Sequence, residues 1–181
     1  TVPTQGYTSH VLVPGRYRVI ETVAPQHKTG GKTVDFVLDK TPVEFTVTAG
    51  VTVKINGNGV VKNDPKGTIR LTKFGEPNYL SASQVVLPGA RFELYTDNNG
   101  SKGTKIDGTV NVTDSMGVCM WENMDPGYYW IQEIESSAVS AAGYGINNLP
   151  VRVEVKAGQA VDAGLVYEAE MTDKADKGKL L

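Results

Sequence analysis

Three observations predict an all-β chain, an antiparallel β-sandwich repeated along the sequence. Apolar and polar residues alternate in short runs, the period of a strand with one buried and one wet face. Turn signals rich in Gly, Pro, Asn and Asp separate the runs. Similar segments also recur at a nearly constant spacing.

The first run, Tyr17-Arg18-Val19-Ile20-Glu21, is entered through the turn Pro14-Gly15. Past Gly30-Gly31, Val43-Glu44-Phe45-Thr46-Val47 and Val51-Thr52-Val53-Lys54-Ile55 alternate strictly, and Asn56-Gly57-Asn58-Gly59 closes the second. Thr68-Ile69-Arg70-Leu71-Thr72-Lys73, Ala90-Arg91-Phe92-Glu93-Leu94-Tyr95 and Val151-Arg152-Val153-Glu154-Val155 continue the pattern. The turns Pro88-Gly89, Asn98-Asn99-Gly100, Asp125-Pro126-Gly127 and Ala157-Gly158 punctuate them, and a last strand is expected near 165–173. Ser137 to Ala142 make at most one helical turn, and no amphipathic helix is present.

Composition bounds the function. The 181 residues make one domain or two small ones. With 18 basic and 20 acidic residues the net charge is −2, which argues against a nucleic acid or anionic membrane held by bulk charge and leaves a local basic patch open. Hydrophobic residues are 40%, too many for a disordered chain, and no apolar run approaches the ~18 residues of a membrane helix. The single cysteine, Cys119, excludes a disulfide framework and a multi-Cys zinc site. His10 and His27 read as surface residues, and two histidines argue against a His-based metal or acid–base centre. No phosphate cradle or Ser–His–Asp set is present, so the expectation is no enzyme, no cofactor and no metal. Thr1-Val2-Pro3-Thr4 is neither a start nor a signal peptide, and the chain is expected to be a piece of something larger.

The repeat rests on three ordered matches. Pro14-Gly15-Arg16-Tyr17 through Glu21 resembles Pro126-Gly127-Tyr128-Tyr129 through Glu133, an offset of 112. Phe45-Thr46-Val47-Thr48-Ala49-Gly50 resembles Val153-Glu154-Val155-Lys156-Ala157-Gly158 at 108, and Gly67-Thr68-Ile69-Arg70-Leu71 resembles Gly178-Lys179-Leu180-Leu181 at 111. The unit is thus about 110 residues. Residues 67–177 are expected to be one complete repeat, 1–66 the C-terminal part of a preceding one, and 178–181 the first strand of a following one.

These repeats resemble the Cna B-type domains of Gram-positive collagen adhesins and pilins. The opening strand Gly67-Thr68-Ile69-Arg70-Leu71-Thr72-Lys73 ends in Lys as in that family. Leu87-Pro88-Gly89-Ala90-Arg91-Phe92-Glu93-Leu94 is similar to its L-P-G-A-x-F-x-L strand. Pro126-Gly127 to Glu133 is similar to its P-G-x-Y-x-(apolar)-x-E strand, and Glu21-Thr22-Val23-Ala24-Pro25 to its E-T-x-A-P. The resemblance implies an Ig-like, prealbumin-like sandwich and an intramolecular isopeptide bond, in which a first-strand Lys joins a last-strand Asn or Asp with a Glu assisting. The chemistry has its own logic. Burial disfavours the charged form of an amine and of a carboxyl alike, leaving a neutral nucleophile beside an acid that can shuttle a proton. The fold then replaces a bimolecular encounter by a high effective concentration.

On this resemblance the amine is Lys73, which shares a strand face with Ile69 and Leu71, and the assisting acid is Glu133, which shares one with Tyr129 and Ile131. The acceptor is Asp173, with Asp176 as the fallback because the linker Lys174-Ala175-Asp176-Lys177 is one residue longer than its counterpart. A plain strand-end salt bridge is the competing reading for Lys73 and Glu133. In the leading unit, Glu21 and Asn63 match the assisting acid and the acceptor, while the matching Lys would lie upstream of Thr1. Asn56 and Asn58 compete with Asn63, but Asn-Gly pairs usually mark turns.

Other features weigh toward structure. Asp97-Asn98-Asn99-Gly100-Ser101 reads as a hairpin loop, since Gly108 stands where a calcium loop needs an acid. Cys119 reads as a small buried hydrophobe, and Trp121, Tyr129 and Trp130 as core aromatics before sugar platforms. Leu87-Pro88-Gly89-Ala90 lacks the Thr-Gly of a sortase signal, so a wall anchor, if there is one, lies elsewhere. The resemblance implies a stalk or pilus-shaft segment on a bacterial cell surface. Its partners are then neighbouring repeats, with host extracellular matrix reached through another domain. The alternative is a sandwich that itself binds matrix protein or glycan, which needs an exposed aromatic or apolar patch.

Overall fold

The computed structural model describes residues 11–29, 31–78, 81–156 and 166–175. His10, Asp176 and the expected strand 178–181 lie outside these described residues. In chain order the elements are β1 (Gly15–Val19), β2 (Gln26–Thr29), β3 (Lys32–Asp35), β4 (Val43–Val47), a 3-10 turn at Ile55–Gly57 and β5 (Gly67–Gly75). Then come β6 (Val85–Val86), β7 (Arg91–Asn98), β8 (Ser101–Lys105), β9 (Asn111–Val112) and β10 (Val118–Met124). The chain ends through β11 (Gly127–Ile134), α1 (Ser137–Ala141), β12 (Val151–Val155) and β13 (Val166–Asp173). Among the described residues no helix is long and apolar enough to cross a membrane.

The chain divides into two compact units, one of residues 1–25 and 37–63, the other of 26–36 and 64–181. In the first, β1 and β4 form an antiparallel pair from Gly15↔Val47 to Val19↔Val43. Tyr17 and Phe45 face each other in register and stack with ring centroids 5.8 Å apart. Val51 to Ile55 alternates as read from the sequence but joins no strand ladder and ends in the 3-10 turn. Alternation reports one-sided burial; a strand also needs a neighbour to bond.

The second unit is a sandwich. One layer runs β10-β5-β13 with β6 beside β5; the other runs β12-β11-β7-β8 with β9 beside β7. The hairpin β2–β3 is a separate two-stranded antiparallel sheet. Strand β5 is buried at every second residue, with Gly67, Ile69, Leu71, Lys73 and Gly75 inward. Ile69, Leu71, Cys119, Trp121, Ala169 and Met171 supply one side of the core. Phe92, Leu94, Ile131, Val153 and Val155 supply the other. Among the described residues all strand pairs are antiparallel except β13 with β5, which run parallel from Val166↔Thr68 to Asp173↔Gly75. The expectation of an antiparallel fold therefore needs one correction. A parallel neighbour requires a crossover, and the chain makes it by laying β12 in the opposite layer before β13 returns beside β5.

The loop at Asp97 is the hairpin turn the sequence indicates. Asn98 pairs with Ser101 around Asn99 and Gly100, whose φ values of 50° and 87° suit a two-residue turn. Gly100 N donates to Asp97 Oδ2 at 2.9 Å. The Arg152 guanidinium holds the Asp97 carboxyl down at about 2, helped by that amide.

Candidate functional site

Three ionisable side chains meet inside the sandwich. Lys73 comes from β5, where strand parity that buries Ile69 and Leu71 buries it too. Glu133 comes from β11 in the facing layer, opposite Phe92 of β7. Asp173 closes β13, paired in register with Gly75. All three side chains are fully shielded from solvent. Lys73 Nζ donates to Glu133 Oε2 at 2.7 Å and to Asp173 Oδ1, and lies 5.6 Å from the centroid of the Phe92 ring. The main chain pins Lys73 as well: its N–H donates to Gly117 O at 2.8 Å, and its carbonyl accepts from Leu87 N at 3.0 Å.

Charge does not balance if every group ionises, because one ammonium faces two carboxylates in a dry site. The proton that resolves this belongs to the carboxyl pair. Burial pushes the Asp173 carboxyl up to about 7; Lys73 opposes the rise and Glu133 adds to it. Glu133 Oε1 and Asp173 Oδ2 are buried without a hydrogen-bond partner, so a bare anionic oxygen is costly there, and the Asp173 carboxyl, raised by burial, is suited to carrying the proton. A buried amine, a protonated carboxyl and a second carboxyl in contact are the ingredients of amide formation.

Asn147 completes the site and was not found from the sequence. Its backbone N–H donates to Glu133 Oε2 at 2.9 Å, and its side-chain Nδ2 donates to Thr172 O, also at 2.9 Å. It acts on Glu133 through its main chain, which leaves no signature in residue type.

The first unit holds the Glu21 and Asn63 pair. Asn63 Nδ2 donates to Glu21 Oε2 at 2.6 Å and to Val37 O at 2.9 Å. Asp39 N donates to the same Glu21 oxygen at 2.9 Å. Asn56 and Asn58 instead serve their own turn, where Asn56 Nδ2 donates to Val60 O and Asn58 Oδ1 accepts from Val60 N.

The remaining residues singled out from the sequence are structural. Cys119 is buried on β10, and burial pushes its thiol up to about 12, far from a reactive thiolate. Trp121 sits in the core with Nε1 donating to Thr109 O at 2.7 Å. Tyr129 packs partly buried against that core. Trp130 is on the opposite face of β11 and donates to Asp97 Oδ1 at 2.8 Å. Among the described residues no His, Cys, Asp and Glu cluster is arranged to hold a metal ion.

The family model for the SpaA prealbumin-like fold domain matches residues 67–169. The chain belongs to that family. The SpaA-type match spans β5 through Ala169 of β13, and so contains Lys73 and Glu133. Among solved structures, the chain is similar to the Bacillus anthracis TIE protein at 25% identity and TM-score 0.49, covering 91% of this chain and 26% of that one. It is similar to GBS52, the minor pilin of Streptococcus agalactiae, at 18% identity and TM-score 0.46, covering 83% and 70%. The Corynebacterium diphtheriae major pilin SpaA matches at 15% identity and TM-score 0.47, covering 62% and 31%. The chain thus spans about a quarter of the TIE protein. No curated protein sequence matches it.

Proposed function

We propose that this SpaA-type chain is a structural stalk or shaft segment of a Gram-positive cell-surface adhesin or pilin, stiffened by an amide bond between Lys73 and Asp173. The observation that carries the reading is the fully buried Lys73 ammonium held between two carboxyls on the first and last strands of one sandwich. In the reaction Lys73 passes a proton to Glu133, and the neutral amine attacks Cγ of the protonated Asp173 carboxyl. Glu133 relays protons from the amine to the departing oxygen. The C–N bond forms, one C–O bond breaks, and one water leaves, with Glu133 ending protonated against the new amide. The event occurs once per chain and turns over no substrate.

Intact mass tests this directly, because amide formation from an acid removes one water, ~18 Da. The expected result is a chain lighter by one water with Lys73 closed to amine labelling, and a Lys73→Met chain at its unshifted mass. A native chain at full mass with Lys73 labelled overturns the bond. The same reading extends to Asn63 with Glu21 assisting, losing ammonia in place of water, with the amine supplied by a strand other than those described. It also carries the repeat organisation: 1–66 as the C-terminal part of one repeat, 67–177 as a complete one and 178–181 as the start of the next. Neighbouring repeats are then the immediate partners, and host matrix is met through another domain.

A further inference from the structure

We infer that Asn147 is a positioning residue for the Lys73–Asp173 bond, an inference that rests on the cross-link proposed above. Asn147 touches both halves of the reaction. Its N–H and the Lys73 ammonium both bond Glu133 Oε2, so the oxygen that faces the lysine proton is held in place while Oε1 has no partner. Its side-chain amide holds Thr172 O, the carbonyl immediately before Asp173, which sets where the Asp173 side chain leaves β13. Its own Oδ1 accepts from Leu149 N at 2.9 Å, closing a turn that presents the N–H to Glu133.

The first unit builds the same device independently. Asp39 N donates to Glu21 Oε2 at 2.9 Å while Asp39 Oδ1 accepts from Thr41 N at 2.8 Å. Asp39 and Asn147 stand 108 residues apart, the offset that relates Phe45 to Val153. One turn, one N–H and one carboxylate oxygen recur in both units, so the contact is a built part of the site. The units differ in the second tether. Asp39 has no amide to donate, and there the acceptor Asn63 itself bonds Val37 O. In the second unit the acceptor is an acid with no amide to donate, and the Asn147 amide supplies the tether to its strand.

The test follows loss of ~18 Da during refolding of the full chain, recovered unreacted from urea-solubilised inclusion bodies. Asn147→Ala is expected to slow the reaction about tenfold or more, as misplacement of a positioned group does. Asn147→Asp keeps the turn, as Asp39 does, and is expected to recover part of the rate. Each substitution is also placed in a Lys73→Met chain, where no bond forms, and its melting read there. A positioning role predicts slowed bond formation in a chain whose Lys73→Met counterpart still melts cooperatively at nearly the same temperature. Native rates in Asn147→Ala, or a slowing that only tracks the unfolded fraction, overturn the inference while leaving the cross-link standing. A native chain that never loses water overturns the cross-link and this inference with it.

Discussion

At the scale of single residues, the Lys73, Glu133 and Asp173 cluster makes the strongest demands. The folded Asp173 carboxyl titrates near 7, well above its ordinary 3.8. Its contribution to the stability of the unreacted chain is therefore complete below about pH 4 and lost as pH rises through about 7. The reaction should show the same limb, because only the protonated carboxyl can release water. Refolding at a series of pH values is expected to show bond formation slowing about tenfold per unit above neutrality; a rate that climbs steadily to pH 9 contradicts this assignment. Glu133→Gln tests the shuttle, since an amide cannot take the lysine proton. That chain should keep its full mass and lose the closure of a 100-residue loop. By the loop-entropy relation for cross-links this costs about 4–5 kcal/mol, on the order of 15 °C in melting temperature.

At the scale of elements, the positions of Lys73 and its partners follow from strand parity and from close backbone approach. Gly117 shows the second. It sits at φ +72°, and a Cβ there would meet Lys73 O at 2.8 Å, the Val86 Cβ at 2.9 Å and Leu87 N at 3.2 Å. Gly117→Ala is therefore expected to destabilise the sandwich by about 2 kcal/mol through backbone strain and crowding, readable by denaturant melts. It should also slow bond formation, because the displaced carbonyl and amide are those that fix Lys73. Parity was legible in the sequence: β5, β7, β11 and β12 alternate because one face meets the core, and that alternation placed Lys73 and Glu133 inward. Strands β2 and β8 were not legible, since Gln-His-Lys-Thr and Ser-Lys-Gly-Thr-Lys carry no apolar stripe and take their place from hairpin pairing and polar side-chain contacts such as Lys102 with Gln132. The direction of β13 was hidden too, because alternation reads the same in parallel and antiparallel pairs. Val51 to Ile55 shows the converse, a pattern without a ladder. Asn147 escaped because its contact with Glu133 runs through the peptide N–H, which every residue but proline has; the 108-residue offset to Asp39 was the one signal available.

At the scale of the whole molecule, the parallel pairing of β5 and β13 decides how a pulled chain carries load. Force enters the sandwich at the start of β5 and leaves at the end of β13, and in a parallel pair those two points lie at opposite poles. Without a covalent link, the load shears the hydrogen bonds between the two strands and then unravels everything between them. An amide from Lys73 to Asp173 changes the path: tension runs along Gly67 to Lys73, crosses the side chains and exits at Lys174, and the segment between the linked residues, which stand 100 positions apart, carries none of it. At ~3.4 Å per extended residue, the sheltered segment corresponds to about 340 Å of contour. Single-molecule stretching of the native chain from its two ends should therefore lack an unfolding step of that length. The Lys73→Met chain should show it, at forces typical of a sheared strand pair. A native chain that yields the same ~340 Å step as Lys73→Met carries its load through hydrogen bonds alone and is no covalently stiffened shaft segment.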